Sequence, residues 1–130
     1  MRVAALSRRV RADRRGQAAV ELALALPIVV VFVLGVFQVA LVARDQLAIE
    51  LAAREAARAA AVSADPAGAA QSAADRVADL DPLHVSVVVG GDVVRVSVRY
   101  VNPTDVAIIG TVLGDVALVA TATMAVEPPS

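Results

Sequence analysis

The stretch from Leu22 to Phe37 constrains everything else: sixteen consecutive residues carry neither a charge nor a hydrogen-bonding side chain. Gln38 is the one polar side chain between this run and Arg44. A helix from Ala18 to Ala43 would be about 39 Å long at 1.5 Å per residue, enough to cross a hydrocarbon core of roughly 30 Å. A membrane span is therefore expected. Glu21 stands at its start, and an ionisable group there is costly enough to mark a functional position. Pro27 removes one backbone donor and crowds the carbonyl of Ala23, so a kink is expected on the N-terminal side of the span.

Charge gives the span a direction. Met1 to Gly16 holds six arginines against Asp13, a balance of +5, and the remainder holds six arginines against twelve acids, a balance of −6. Arginines beside a span stay in the cytoplasm. The N-terminus is thus expected inside and everything after Arg44 outside. The cluster also suits attraction to anionic lipid. With no aromatic residue beside it to stack on bases, it is not read as a nucleic-acid arm. The chain is 58% apolar, yet its aromatics are only Phe32, Phe37 and Tyr100. A large water-soluble core is not expected, and the absence of cysteine excludes disulfides and thiolate metal sites.

After the span, Arg44 to Val62 contains no breaker, so the helix should continue beyond the bilayer as a stalk. Alanine favours it, and Glu50–Arg54 and Glu55–Arg58 are correctly ordered side-chain pairs. On a helical wheel Arg44, Glu50, Arg54, Glu55 and Arg58 share one arc. Ala48, Ile49, Ala52, Ala53, Ala56, Ala59 and Ala60 share the other, with Asp45 the exception. Such small side chains allow close packing. Asp65 with Pro66 reads as N-cap and first position of a second helix to about Leu80, stopped by Asp81-Pro82.

The period then changes to two. Leu83, Val85, Val87 and Val89 alternate with His84 and Ser86. Beyond Gly90-Gly91-Asp92, Val94, Val96, Val98 and Tyr100 alternate with Arg95, Ser97 and Arg99. This is a hairpin with one wet face. Asn102-Pro103-Thr104 breaks the strand, and Asp105 to Asp115 reads equally as a loop with a helical turn or as an apolar connector. From Val116 to Val126 a third strand turns Leu118, Ala120, Ala122 and Met124 inward and Thr121 and Thr123 outward. Glu127 to Ser130 is a tail.

The expected fold is an α+β membrane protein: a long N-terminal transmembrane and stalk helix, a short second helix and a three-stranded antiparallel sheet that needs a helix to cover it. Residues 1–16 form a basic cytoplasmic leader, 17–43 the transmembrane helix, 44–62 its extracytoplasmic continuation and 63–130 a small extracytoplasmic α+β domain.

No catalytic, cofactor or metal constellation stands out. His84, the single histidine, has no nucleophile or ligand at a meaningful spacing and reads as a wet strand position. Asp75, Asp79, Asp81 and Asp92 do not follow the spacing of a calcium loop. Gly90-Gly91 starts no helix and so reads as a turn rather than a phosphate cradle.

The leader, glycine and glutamate form a different kind of pattern. RRGQAAVELALALP, together with AAREAARAAAV further on, resembles the TadE-like family, pseudopilins of the bacterial Tad (Flp-type) pilus assembly machinery. The resemblance covers Arg14 to Val62 by motif and the rest by architecture. It implies cleavage by a prepilin peptidase between Gly16 and Gln17, which puts Glu21 at mature position five. It also implies that Glu21 pairs with the free α-amine of a neighbouring subunit and so sets axial register. Leu22 stands where an aromatic commonly follows the glutamate, and Gln17 replaces a bulky apolar residue.

The reading is a non-enzymatic, single-pass, pilin-like structural protein of the bacterial cell membrane, open to incorporation in a surface pilus. Its partners would be membrane lipid, the prepilin peptidase, other pilin-like subunits and Tad assembly machinery, with no nucleic acid, cofactor or small-molecule substrate. Two alternatives stay open: an uncleaved membrane-anchored interaction domain, and a secreted domain with a signal peptide cut near Ala43.

Overall fold

Helix α1 runs from Arg2 to Ala61 without interruption, through Gly16 and Pro27. The computed structural model describes the backbone of residues 2–103 and 114–126, and the side chains of 16–103 and 114–126. The leader arginines' side chains, most of the connector read from Asp105 to Asp115, and the tail lie outside the described residues. The leader backbone is helical, because its alanines, leucine and arginines are good helix formers and a lone glycine costs only about 1 kcal/mol.

The chain forms two units, Met1–Phe37 and Gln38–Ser130. In the first, every apolar side chain from Val20 to Val33 is exposed, Leu24 to 68% and Ile28 to 72%. Exposure along a whole apolar helix is what a lipid-facing span requires, and α1 is long and apolar enough to cross a membrane.

The second unit is built on the later part of α1. Its buried positions are Ile49, Ala52, Ala53, Ala56, Ala57, Ala60 and Ala61, which recur at i, i+3, i+4, i+7 and so on. Ala57 and Ala61 join the stripe, while Ala48 and Ala59 are half-buried at its margins. With alanine on both sides, only the packing partner decides where the stripe ends. Glu50 accepts from Gln46 (3.2 Å) and pairs with Arg54 (3.5 Å) on the opposite face. Among the described residues Glu55 and Arg58 make no ion pair; such exposed pairs are worth only a few tenths of a kcal/mol.

Helix α2 spans Pro66–Val77. Asp65 caps it by accepting from the Gly68 N–H (3.1 Å), and Ser63 Oγ in turn accepts from the Asp65 N–H (3.1 Å). The helix stops before Leu80: Ala78 is already extended at φ −107°, ψ 119°, although its N–H still reaches the Ala74 carbonyl (3.0 Å). The residue before a proline avoids the α region, which bars the helix from Asp81 itself; the stop at Val77 comes earlier than that rule requires. Early straightening also buries Ala78.

Strands β1 (Leu83–Gly90), β2 (Val93–Asn102) and β3 (Val116–Ala125) form an antiparallel sheet in that order. The β1–β2 turn is only Gly91-Asp92, with Gly91 at φ 61°, a positive angle that the primed hairpin turns require at this position. The register makes four inward rows: Leu83–Tyr100–Leu118, Val85–Val98–Ala120, Val87–Val96–Ala122 and Val89–Val94–Met124. Val94, Val96 and Val98 are fully buried. The alanine stripe of α1, Ala70, Ala74 and Ala78 close the other side of this core. In the fourth row only Val94 is buried: Val89 is 54% and Met124 38% exposed. The outward rows carry His84–Arg99–Val119 and Ser86–Ser97–Thr121, with Ser97 and Thr121 hydrogen-bonded at 3.0 Å.

Candidate functional site

The residues singled out by sequence lie on the first unit's helix. Gly16 has open space around it: a Cβ added there meets no atom within 4 Å. Gln17 and Glu21 are one turn apart, and the Gln17 side-chain amide donates to Glu21 Oε1 at 3.3 Å. Glu21 is exposed and flanked by exposed Val20 and Leu22. Gly16, Gln17 and Glu21 thus occupy adjacent turns of one helix, with an exposed glycine at one end and an acid among apolar side chains at the other. Among the described residues Glu21 has an amide partner and no cation, so a cation entering the apolar surroundings would find a strong partner. Pro27 sits inside α1, which remains helical on both sides of it.

The other titratable candidates are surface groups. Asp75, Asp79, Asp81, His84 and Asp92 are all exposed, and Asp75 accepts from Gln71 at 2.8 Å. Among the described residues no group of histidines and acids is arranged to hold a metal.

The structure brings together one pair that the sequence reading did not join. Asn102, at the end of β2 and 7% exposed, donates its side-chain amide to Asp45 Oδ2 on α1. Asp45 was the acid out of place on the apolar arc of the wheel, and that misplacement was the available signal. A second unread feature is Gln38, which is 5% exposed, and Val42, which packs against the core. Residues 38–43 look like the end of the apolar run but belong to the second unit, where Gln38 is buried and Val42 packs against the core.

A family model described as TadE-like protein matches residues 16–58. The match begins at the glycine ahead of Gln17 and Glu21 and ends within the alanine-striped part of α1, so α2 and the sheet lie beyond it. Comparison with curated proteins and with solved structures finds no match.

Proposed function

Proceeding from a helix whose residues 16–58 match TadE-like proteins, we propose that this chain is a pilin-like structural and assembly protein of a Tad (Flp-type) pilus. It acts by packing rather than by catalysis. The observation that carries the reading is the continuity of α1: one helix bears Gly16, Glu21, an apolar surface exposed along its length, and then a stripe of alanines under a sheet.

On this reading α1 crosses the cytoplasmic membrane with the arginine-rich leader inside and residues 44–130 outside. Prepilin peptidase cuts after Gly16, where no side chain shields the peptide bond. Gln17 becomes the first residue, one turn from Glu21. In an assembling bundle the α-amine of one subunit meets the Glu21 carboxylate of its neighbour. Two unit charges 4 Å apart attract by about 1 kcal/mol in water and about 4 kcal/mol at an effective dielectric constant of 20. The pair therefore favours one axial register over slipped ones. Other pilin-like subunits and Tad assembly proteins are its partners.

The test is the N-terminal residue of the protein recovered from membranes. Mass spectrometry should find Gln17 first in the wild type and Met1 in Gly16→Val. Since a side chain at position 16 meets no neighbour, lost processing in that variant reports on the peptidase and not on folding. An intact leader in the wild type would sink the cleavage reading and favour an uncleaved anchor.

A further inference from the structure

Between α1 and the beginning of β3 lies a groove of about 410 Å³. Gln38, Val39, Val42 and Ala43 form its helical wall, and Val116 and Leu118 form the wall contributed by the sheet. Nearly all of its surface is apolar; Gln46 closes the far end of the helical wall. All of these residues belong to the second unit. A groove this apolar is poorly suited to water, which needs two to four polar partners at an ordered position. Among the described residues this is a concave apolar surface with one open side.

Its place along α1 indicates what covers it. The helical wall begins at Gln38, directly after Phe37, the end of the uncharged run, and its apolar part stops short of Arg44, the first charge after the span. About twenty residues cross the hydrocarbon core, so a span that starts at Ala18 ends at Phe37. Residues 39 to 43 then fall where acyl chains give way to headgroups. Val36, Phe37 and Val39 are exposed, at 55%, 59% and 69%. Arg44 is also exposed and has no side-chain partner among the described residues, as suits a guanidinium at phosphate level. Outward along α1, the apolar wall of Val39, Val42 and Ala43 is followed by the Arg44 cation and then the Gln46 amide, an order complementary to the profile of a phospholipid leaflet.

We propose that this groove takes the acyl chain of a membrane phospholipid, so that Val116 and Leu118 of the sheet sit in the leaflet beside α1. The inference rests on the membrane-anchored reading above and adds a second point of attachment. The outer domain is then seated on the bilayer by its sheet as well as tethered by its helix. Departure of a subunit from the membrane exposes the groove, and an apolar surface of another subunit can take the lipid's place.

The chain has no cysteine, so single cysteines can carry spin labels in the full-length protein. The sites are Ala43 and Val116 in the groove, Val30 in the span and Ser72 on the exposed side of α2. The protein is reconstituted in phosphatidylethanolamine–phosphatidylglycerol vesicles, and collisions are measured with oxygen and with a water-soluble nickel chelate. Labels at 43 and 116 should resemble Val30, with an oxygen-to-nickel ratio several-fold above that of Ser72. Should a label at 116 disturb the sheet, Val116→Trp introduces the only tryptophan, and phospholipids brominated on the acyl chains should quench it several-fold more than headgroup-side quenchers. Nickel access at both groove sites with Val30 in lipid would overturn the groove and leave the anchor standing. Protection from both reagents there would mean that protein fills the groove, which also overturns it. Nickel access at Val30 would remove the anchor and this inference with it.

Discussion

Asn102 reaches from the last position of β2 to the Asp45 carboxylate on α1, a hydrogen bond between residues 57 positions apart in the chain. Their surroundings are mostly apolar, and Asn102 is buried. Removing either partner leaves the other without its partner, and hydrogen bonds to charged groups contribute about 1.5–3 kcal/mol. Asp45→Ala should destabilise the second unit by about 1–3 kcal/mol. Asn102→Asp should cost more, because it sets two carboxylates against each other. Tyr100 is the only tyrosine and there is no tryptophan, so intrinsic fluorescence follows unfolding of this unit in detergent micelles. A double-mutant cycle with no coupling would show that the contact contributes nothing.

The alanine stripe sets how close the sheet lies to α1. Ala56 is fully buried, whereas Ala59 is half-buried at the margin. Ala56→Leu inserts volume into a packed interface and should cost about 1–3 kcal/mol. Ala59→Leu should stay within about 0.5 kcal/mol. Equal denaturation midpoints for the two variants would mean that the stripe does not set the spacing.

Gly68 and Asp65 are coupled at the start of α2. A Cβ added at Gly68 would overlap the Asp65 carboxylate that caps the helix. Gly68→Ala gains about 1 kcal/mol of helix propensity and loses a cap worth about the same, so the net change should be near zero. In an Asp65→Ala background the same substitution should stabilise by about 1 kcal/mol. Identical effects in both backgrounds would refute the coupling.

Glu21→Gln preserves size and hydrogen bonding while removing the charge. Membrane insertion should be unchanged and pilus assembly should fall sharply, read as the amount of the protein in sheared pili relative to the membrane fraction. Wild-type incorporation would defeat the proposal that Glu21 sets register. Glu21→Asp should recover only part of the loss, since a shorter side chain leaves a longer gap to a neighbouring amine.

Most elements were legible because each rests on a short-range rule. The hairpin is visible in alternating valines and a Gly91-Asp92 turn, and α2 in its Asp65-Pro66 start. Helix periodicity continues to Leu80, yet α2 ends at Val77, where Ala78 turns extended and joins the core, a tertiary contact that no local pattern marks. The position of Glu21 behind a glycine was equally plain, since an acid opening an apolar run is conspicuous against its neighbours.

The sequence by itself determined the long apolar helix, the short second helix, three strands and their inward faces. Length, hydrophobic period and turn chemistry are properties of neighbouring residues, and nothing distant competes with them here. Only the tertiary structure decided which alanines form the stripe, that Gln38 and Val42 pack within the second unit, that Asp45 meets Asn102, and that Val116 and Leu118 face Val39 and Ala43 across a groove. Those are matters of which surfaces meet. A helix made of alanine on several sides carries no local mark of the side its sheet will cover.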